Sequence, residues 1–151
     1  MTRALAVPLA ALVMAAALPA LGLELPLPTG ARPLSERTSP YDSYGLPVGP
    51  FADGKLATER IEGRIERRSW QVPSQTLTTL QILDPLRSAL INDGFTIEYQ
   101  CEDRACGGFD FRFAIEVIPA PDMHVNIRDF RFLAATREGE EAVGLLVSRG
   151  R

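Results

Sequence analysis

The sequence predicts an α+β domain. Its sheet is antiparallel, with about five strands and one kinked helix on one face, in the order strand, helix, then four strands. An extended arm rich in proline and glycine precedes it. Three observations carry this expectation. Charge and apolarity alternate with period two from about Arg60 to Arg68. Leucines then recur every three or four residues from Leu77 to Leu90, and period two returns after Gly94. A lone amphipathic helix among half-apolar strands fits a helix laid on one face of a sheet.

Residues 1–22, MTRALAVPLAALVMAAALPALG, carry one charge, Arg3, and then an apolar run to Leu21. Ala20 and Gly22 are small and spaced as a signal peptidase requires, so the segment reads as a secretory signal cleaved before Leu23, with Leu21 the second choice. The rival reading is a membrane anchor. Against it, the run is rich in alanine, is broken by Pro8 and Pro19, and lacks a basic stop-transfer flank. No cysteine follows the small residues, which argues against a lipoprotein. No transmembrane span is expected after cleavage.

The remaining 129 residues suit one domain, and fifteen basic against nineteen acidic groups leave them at −4. A mildly acidic chain excludes the concentrated basic surface that nucleic acid needs, and no polybasic patch is present for anionic lipid. Lys55 is the only lysine, against fifteen arginines.

Residues 23–55 form the expected arm, with six prolines and four glycines between Leu23 and Gly54. Proline cannot donate to a sheet ladder and biases its predecessor toward extended geometry. Tyr41, Tyr44, Leu46, Val48 and Phe51 make the second half too apolar for a free linker, so it should lie against the domain. The domain proper is expected over 56–151.

In TERIEGRIERRSW, Arg60, Glu62, Arg64, Glu66 and Arg68 share one parity, and Ile61, Gly63 and Ile65 the other. This is a half-exposed antiparallel strand whose charged face neutralises itself. Trp70 falls on the charged parity, which predicts a bulge near Arg67 or the strand's end. Leu77, Leu80, Leu83, Leu86 and Leu90 then form a helical stripe, stopped by Asn92-Asp93-Gly94. Pro85 either kinks that helix or starts a shorter one capped by Asp84. The stripe runs through the proline and favours one kinked helix.

Phe95, Ile97, Tyr99 and Cys101 are expected on one strand face, and Phe109, Phe111, Phe113, Ile115 and Val117 on the face of the next. Pro119 to Asp122 turns the chain. A third strand is expected from His124 to Thr136, with a bulge between Ile127 and Phe130. Val143, Leu145 and Val147 begin the last strand.

Both cysteines lie in CEDRACGGFDFRF. Two cysteines and one histidine, His124, cannot close a structural zinc site without acidic help, and four intervening residues are not the spacing of a Cys-x-x-Cys redox centre. In an oxidising compartment Cys101 and Cys106 should pair as a disulfide staple at a strand connection. No metal and no cofactor are expected. There is no Gly-x-Ser-x-Gly, no phosphate-cradling loop and no histidine paired with a nucleophile, and Asp42, Glu98 and Asp110 read as solvated acids. No catalytic residue is expected, and the chain is read as not an enzyme.

Asp42-Ser-Tyr44, Leu46 through Phe51, Thr79-Leu-Gln81, Cys101 through Phe113, Pro121-Asp-Met123 and Asp129 through Ala135 resemble the N-terminal region of OmpA-family envelope proteins of alphaproteobacteria. The Cys-x4-Cys-Gly-Gly segment is also similar to a broader group of periplasmic domains of unknown function. The resemblance implies a periplasmic module, with outer-membrane association, acting through contacts with other envelope proteins or the cell wall. In that family a later C-terminal domain binds peptidoglycan. Its Leu-Ser-x-x-Arg-Ala signature is absent from these residues, so peptidoglycan binding is expected only through such a domain beyond Arg151. An alternative is a small-molecule or lipid binder using the apolar face of Phe109, Phe111 and Phe113. An enzyme of unrecognised type is the third class. The last strand, ending at Ser148-Arg-Gly-Arg151, leads to the expectation that the chain continues into a longer protein. A membrane barrel is not expected, because the strands are few and none is apolar over a full span.

Overall fold

The structure, a computed structural model, describes residues 23–74, 76–138 and 141–150. The expected signal segment, residues 1–22, lies outside the described residues. The fold is α+β, with β1 (Arg32–Ala52), β2 (Lys55–Gln71), α1 (Thr79–Asn92), β3 (Thr96–Glu102), α2 (Asp103–Cys106), α3 (Gly108–Ala114), β4 (Phe130–Arg137) and β5 (Glu141–Ser148). The strands form two antiparallel sheets, a β1-β2 ribbon and a three-stranded sheet in the order β3-β4-β5. The expected single five-stranded sheet is therefore replaced by two sheets packed on each other.

Strand β4 explains this arrangement. Phe132 and Ala134 point to one side of the sheet, and Leu133 and Ala135 to the other; all four are buried. The second side is covered by Leu83 and Leu90 of α1, with Phe95 at its edge and Leu23 and Leu25 packed beside them. The first is covered by the ribbon, through Tyr44, Leu46, Val48, Phe51, Leu56 and Ile61, together with Phe111 of α3. Three layers result: helix, sheet, and ribbon with short helices. An alternating strand needs one cover, but a run such as Phe-Leu-Ala-Ala that is apolar on both parities needs two.

The proline-rich segment from Arg32 onward is not an unpaired arm but one leg of the ribbon. It uses 21 residues against 17 in β2, and the surplus is taken up in three register breaks, all on β1. These lie between Pro33 and Ser35, between Ser39 and Asp42, and between Pro47 and Phe51. Pro33, Pro40, Pro47 and Pro50 sit at or inside them. Proline lacks the donor that a ladder needs, so within a strand it is confined to edges and bulges, and β1 supplies both. The bulge expected near Arg67 is instead opposite Trp70, at Leu34 of β1. From Arg60 to Arg68 strand β2 keeps its parity, and Arg67 joins Ile61, Gly63 and Ile65 on the inner side.

On the outer side of β2 the charges pair as their alternation implies. Arg60 bonds Glu62 at 2.8 Å, Arg64 bonds Glu66 at 2.8 Å, and Arg68 reaches Glu66 and Glu36. On the inner side Arg67 lies between Glu116 and Asp42 and ties the ribbon to the segment after α3. Tyr44 is half-buried here. Burial, with the Glu116 charge second, pushes its phenol up to about 12. Its hydroxyl rests on β5 at Gly144, where a Cβ would stand only 2.7 Å from the oxygen.

The helix α1 begins with a reciprocal cap: Thr78 Oγ1 accepts from the Gln81 amide at 3.1 Å, and Gln81 Oε1 accepts from the Thr78 amide at 2.9 Å. Pro85 lies inside this one helix and does not start a second. Pro85 and Gln81 are both on the exposed side, where water can meet the Gln81 carbonyl that proline leaves unbonded. Past Gly94, β3 carries a bulge between Ile97 and Tyr99. It sends Ile97 to the α1 side and Tyr99 and Cys101 to the ribbon side, so the expected common face is split. The strand expected over His124–Thr136 starts only at Phe130. The parity shift noted there is a loop-to-strand boundary.

Asp129 joins three elements. Its carboxylate accepts from Thr79 Oγ1 at the start of α1 at 3.0 Å and from Arg149 Nε after β5 at 2.7 Å, immediately before β4 begins. The Arg149 guanidinium, then the Thr79 hydroxyl, hold the Asp129 carboxyl below its ordinary value of 3.8 against the opposing cost of burial. A carboxyl depressed by folding stabilises the fold above its unfolded value and loses that contribution as pH falls through the lower, folded one. Asp129→Asn is therefore expected to cost about 1 kcal/mol at neutral pH. The gap between variant and wild type should close below about pH 4. Urea unfolding at pH 7 and at low pH measures both.

Candidate contact surface at the disulfide

Cys101 is the penultimate residue of β3 and Cys106 the last of α2. They are joined as a disulfide, with Cα atoms 5.1 Å apart, as the spacing and compartment led us to expect. Between them Glu102 pairs with Arg131 of β4 at 3.0 Å, and Asp103 turns the chain at a φ of 35°. The Asp103 carboxylate accepts from the Phe130 amide, which fixes the loop to the start of β4. Cys106 is fully buried against the ribbon side of the sheet.

Gly107 ends α2 and begins α3 at a φ of 119°. A Cβ there would lie 2.8 Å from Phe51 Cβ and 2.9 Å from the Phe51 carbonyl oxygen. The glycine thus answers two demands, a left-handed backbone and close approach to β1 near the ribbon's turn. This turn from strand to helix is what the alternating phenylalanines concealed. Over Gly108–Ala114 the backbone is helical, so residues two apart face opposite ways and the expected strand face does not form.

The consequence is a division of the three rings. Phe111 is wholly buried, parallel to Phe130 with centroids 6.1 Å apart and edge-on to Phe132 at 5.5 Å. Phe109 and Phe113, one helical turn apart, lie on the opposite side at 59% and 64% exposure, with centroids 4.5 Å apart. The Arg112 guanidinium lies 5.1 Å from the Phe113 centroid. Only two of the three expected rings are therefore available as a contact surface, and the third anchors them.

The other candidate residues are dispersed. His124 is exposed on the loop before β4. Asp42, Glu98 and Asp110 belong to β1, β3 and α3. Asp42 is held below its ordinary value, chiefly by the Ser43 amide, with the Arg67 charge adding to it. Glu98 accepts from Thr136 Oγ1 across the sheet. Sequence reasoning missed the two carboxylates that share one arginine, Asp42 and Glu116. Arg67 lies between them, an ion-pair arrangement. Among the described residues no group of three or more His, Cys, Asp or Glu side chains converges, and no helix is long and apolar enough to cross a membrane. An open depression of about 430 Å³ lies on the outer side of α1, lined by Leu80, Gln81, Asp84, Pro85 and Arg87.

Gly107→Ala should cost about 2–4 kcal/mol, combining positive φ with the collision at Phe51; a loss below about 0.5 kcal/mol in chemical denaturation would contradict the close approach. Cys106→Ser should still fold but lose about 1–3 kcal/mol from closure of a short loop. The denatured, unreduced wild type should show no titratable thiol.

No family model matches the chain, and no curated protein matches its sequence.

Proposed function

We propose that this chain is a non-catalytic module of the bacterial cell envelope, exported to the periplasm and associated with the outer membrane. It acts by contacting other envelope proteins. The observation that carries this reading is the exposed Phe109–Phe113 pair. Two large apolar rings in mutual contact form a small continuous patch, and such patches are recurrent contact points between proteins. Their support is rigid. Phe111 plugs the core beneath them, the disulfide closes the loop before them, and Gly107 seats the helix against the ribbon. The signal-like leader, the disulfide and the resemblance to OmpA-family N-terminal regions favour an oxidising envelope compartment. Cell-wall binding is not assigned to these residues.

The test places a photo-crosslinking amino acid at Phe109 in living cells of the source bacterium. Discrete adducts with envelope proteins are expected, reduced at least about fivefold by Phe113→Ala, as loss of one aromatic anchor implies. A cross-linker at exposed Leu80 should not give the same adducts. No adduct at position 109, or the same adducts from both positions, would rule the surface out. The protein recovered from those cells should begin near Leu23. It should stay in solution when isolated peptidoglycan is pelleted.

A further inference from the structure

The ribbon leaves strand β2 with a partner on one side only. Among the described residues its backbone bonds to no element but β1. Open edges are ordinarily blunted by proline, bulges, shortness or repelling charge. The outer edge of β1 is blunted this way, by four prolines and three register breaks. The edge of β2 is blunted less, although Gly63 has a φ of 149° and lies across from the break between Ser39 and Asp42. It runs 17 residues without a proline and without an inserted residue.

The side chains along that edge carry a symmetric pattern. Arg60, Glu62, Arg64, Glu66 and Arg68 alternate in sign on the outer face, and Gly63 stands at the midpoint of Lys55–Gln71. Consider a second β2 laid antiparallel beside the first about an axis through Gly63. The two strands then overlap over their whole length. Glu62 of each copy faces Arg64 of the other, and Arg60 of each faces Glu66 of the other. On the inner face Ile61 of each meets Ile65 of the other. Moving the axis to Glu62 or to Arg64 instead sets like charge against like at every charged pair. A one-residue slip of the pairing puts charged positions against the apolar parity. Opposite charges directly across a strand pair stabilise it and like charges destabilise it, so the pattern selects one register among its neighbours.

The charged groups can be recruited. Arg60 and Arg64 are 71% and 64% exposed, and their present partners are two residues away on the same strand. The central position offers room, because a Cβ at Gly63 would meet nothing within 4 Å.

From this edge we infer that β2 is a homodimerisation strand. Two copies join antiparallel about Gly63, giving a four-stranded ribbon in the order β1-β2-β2-β1. The partner is a second copy of this chain, identified by the self-complementary charges, and the contact is separate from the Phe109–Phe113 surface.

Sedimentation of the purified chain in low salt should show a reversible dimer, weakened by added salt. Glu62→Arg/Glu66→Arg makes the edge uniformly basic, and Arg60→Glu/Arg64→Glu makes its centre uniformly acidic. All four sites are exposed, so both variants should keep the native fold, checked by circular dichroism. Each alone should dimerise at least about tenfold more weakly than wild type. An equimolar mixture should recover the dimer, because all four central pairs are again opposite in sign. A second measurement reads the register. Oxidation of Glu62→Cys mixed with Arg64→Cys should give a disulfide-linked dimer that neither variant gives alone. The inference is overturned by a wild-type chain that stays monomeric at about 200 µM, far above the range of specific association. It is equally overturned by a dimer that both charge variants leave intact, by a mixture that stays monomeric, or by cross-linking of either cysteine variant with itself.

Discussion

Everything in this fold depends on β4 being apolar on both faces. A strand in an antiparallel sheet can leave one face to water, but Phe132, Leu133, Ala134 and Ala135 leave neither. Two separate covers must reach it, and the chain provides them from opposite directions. The helix α1 supplies Leu83 and Leu90. The ribbon and α3 supply Leu46 and Phe111. Each cover is fastened at its border by charge. Asp129 ties Thr79 and Arg149 at the helix side, while Arg67 joins Asp42 and Glu116 at the ribbon side. These border groups are partly exposed, so they fix orientation more than they contribute energy.

The ribbon resolves a conflict between composition and architecture. Covering the face that carries Phe132 and Ala134 requires extended chain, yet the available segment carries a proline every few residues. Placing each proline at a bulge of an edge strand removes the conflict, since no ladder bond is asked of it. The bulges also bend and twist β1, so one part of the ribbon lies on the sheet while the other stands further into solvent. Tyr44, Leu46 and Val48 mark the seated part, and Tyr41, 78% exposed, marks the free part.

How much of this could be read in advance depended on whether period or geometry decided the element. The leucine stripe gave α1 to within two residues of its ends, and the charge alternation gave β2, because both patterns run long enough to exclude the other period. The two cysteines could be paired because their spacing fitted neither a metal nor a redox centre. Three features were not legible. Phe109, Phe111 and Phe113 alternate as a strand would, but Gly107 and Gly108 set the backbone into a helix, and over seven residues the pattern cannot tell the two apart. The bulge after Ile97 sends Tyr99 to the opposite face without any break in apolar alternation. Proline density in Arg32–Ala52 signalled extended backbone correctly, but nothing in it signals a partner strand. The contact surface was half legible for the same reason: its residues were named, and the side each one faces was not.

The ribbon also has a mechanical polarity. Its open end lies at Arg32 and Gln71, and its closed end at the turn between Ala52 and Lys55. Force drawn across the open end loads one rung of the ladder at a time, like a zipper, and yields at low tension. Force drawn along the strands from opposite ends loads all the rungs in shear, and the same bonds then resist together. Between these limits, the direction in which the chain is tethered sets how firmly the ribbon holds its cover over β4.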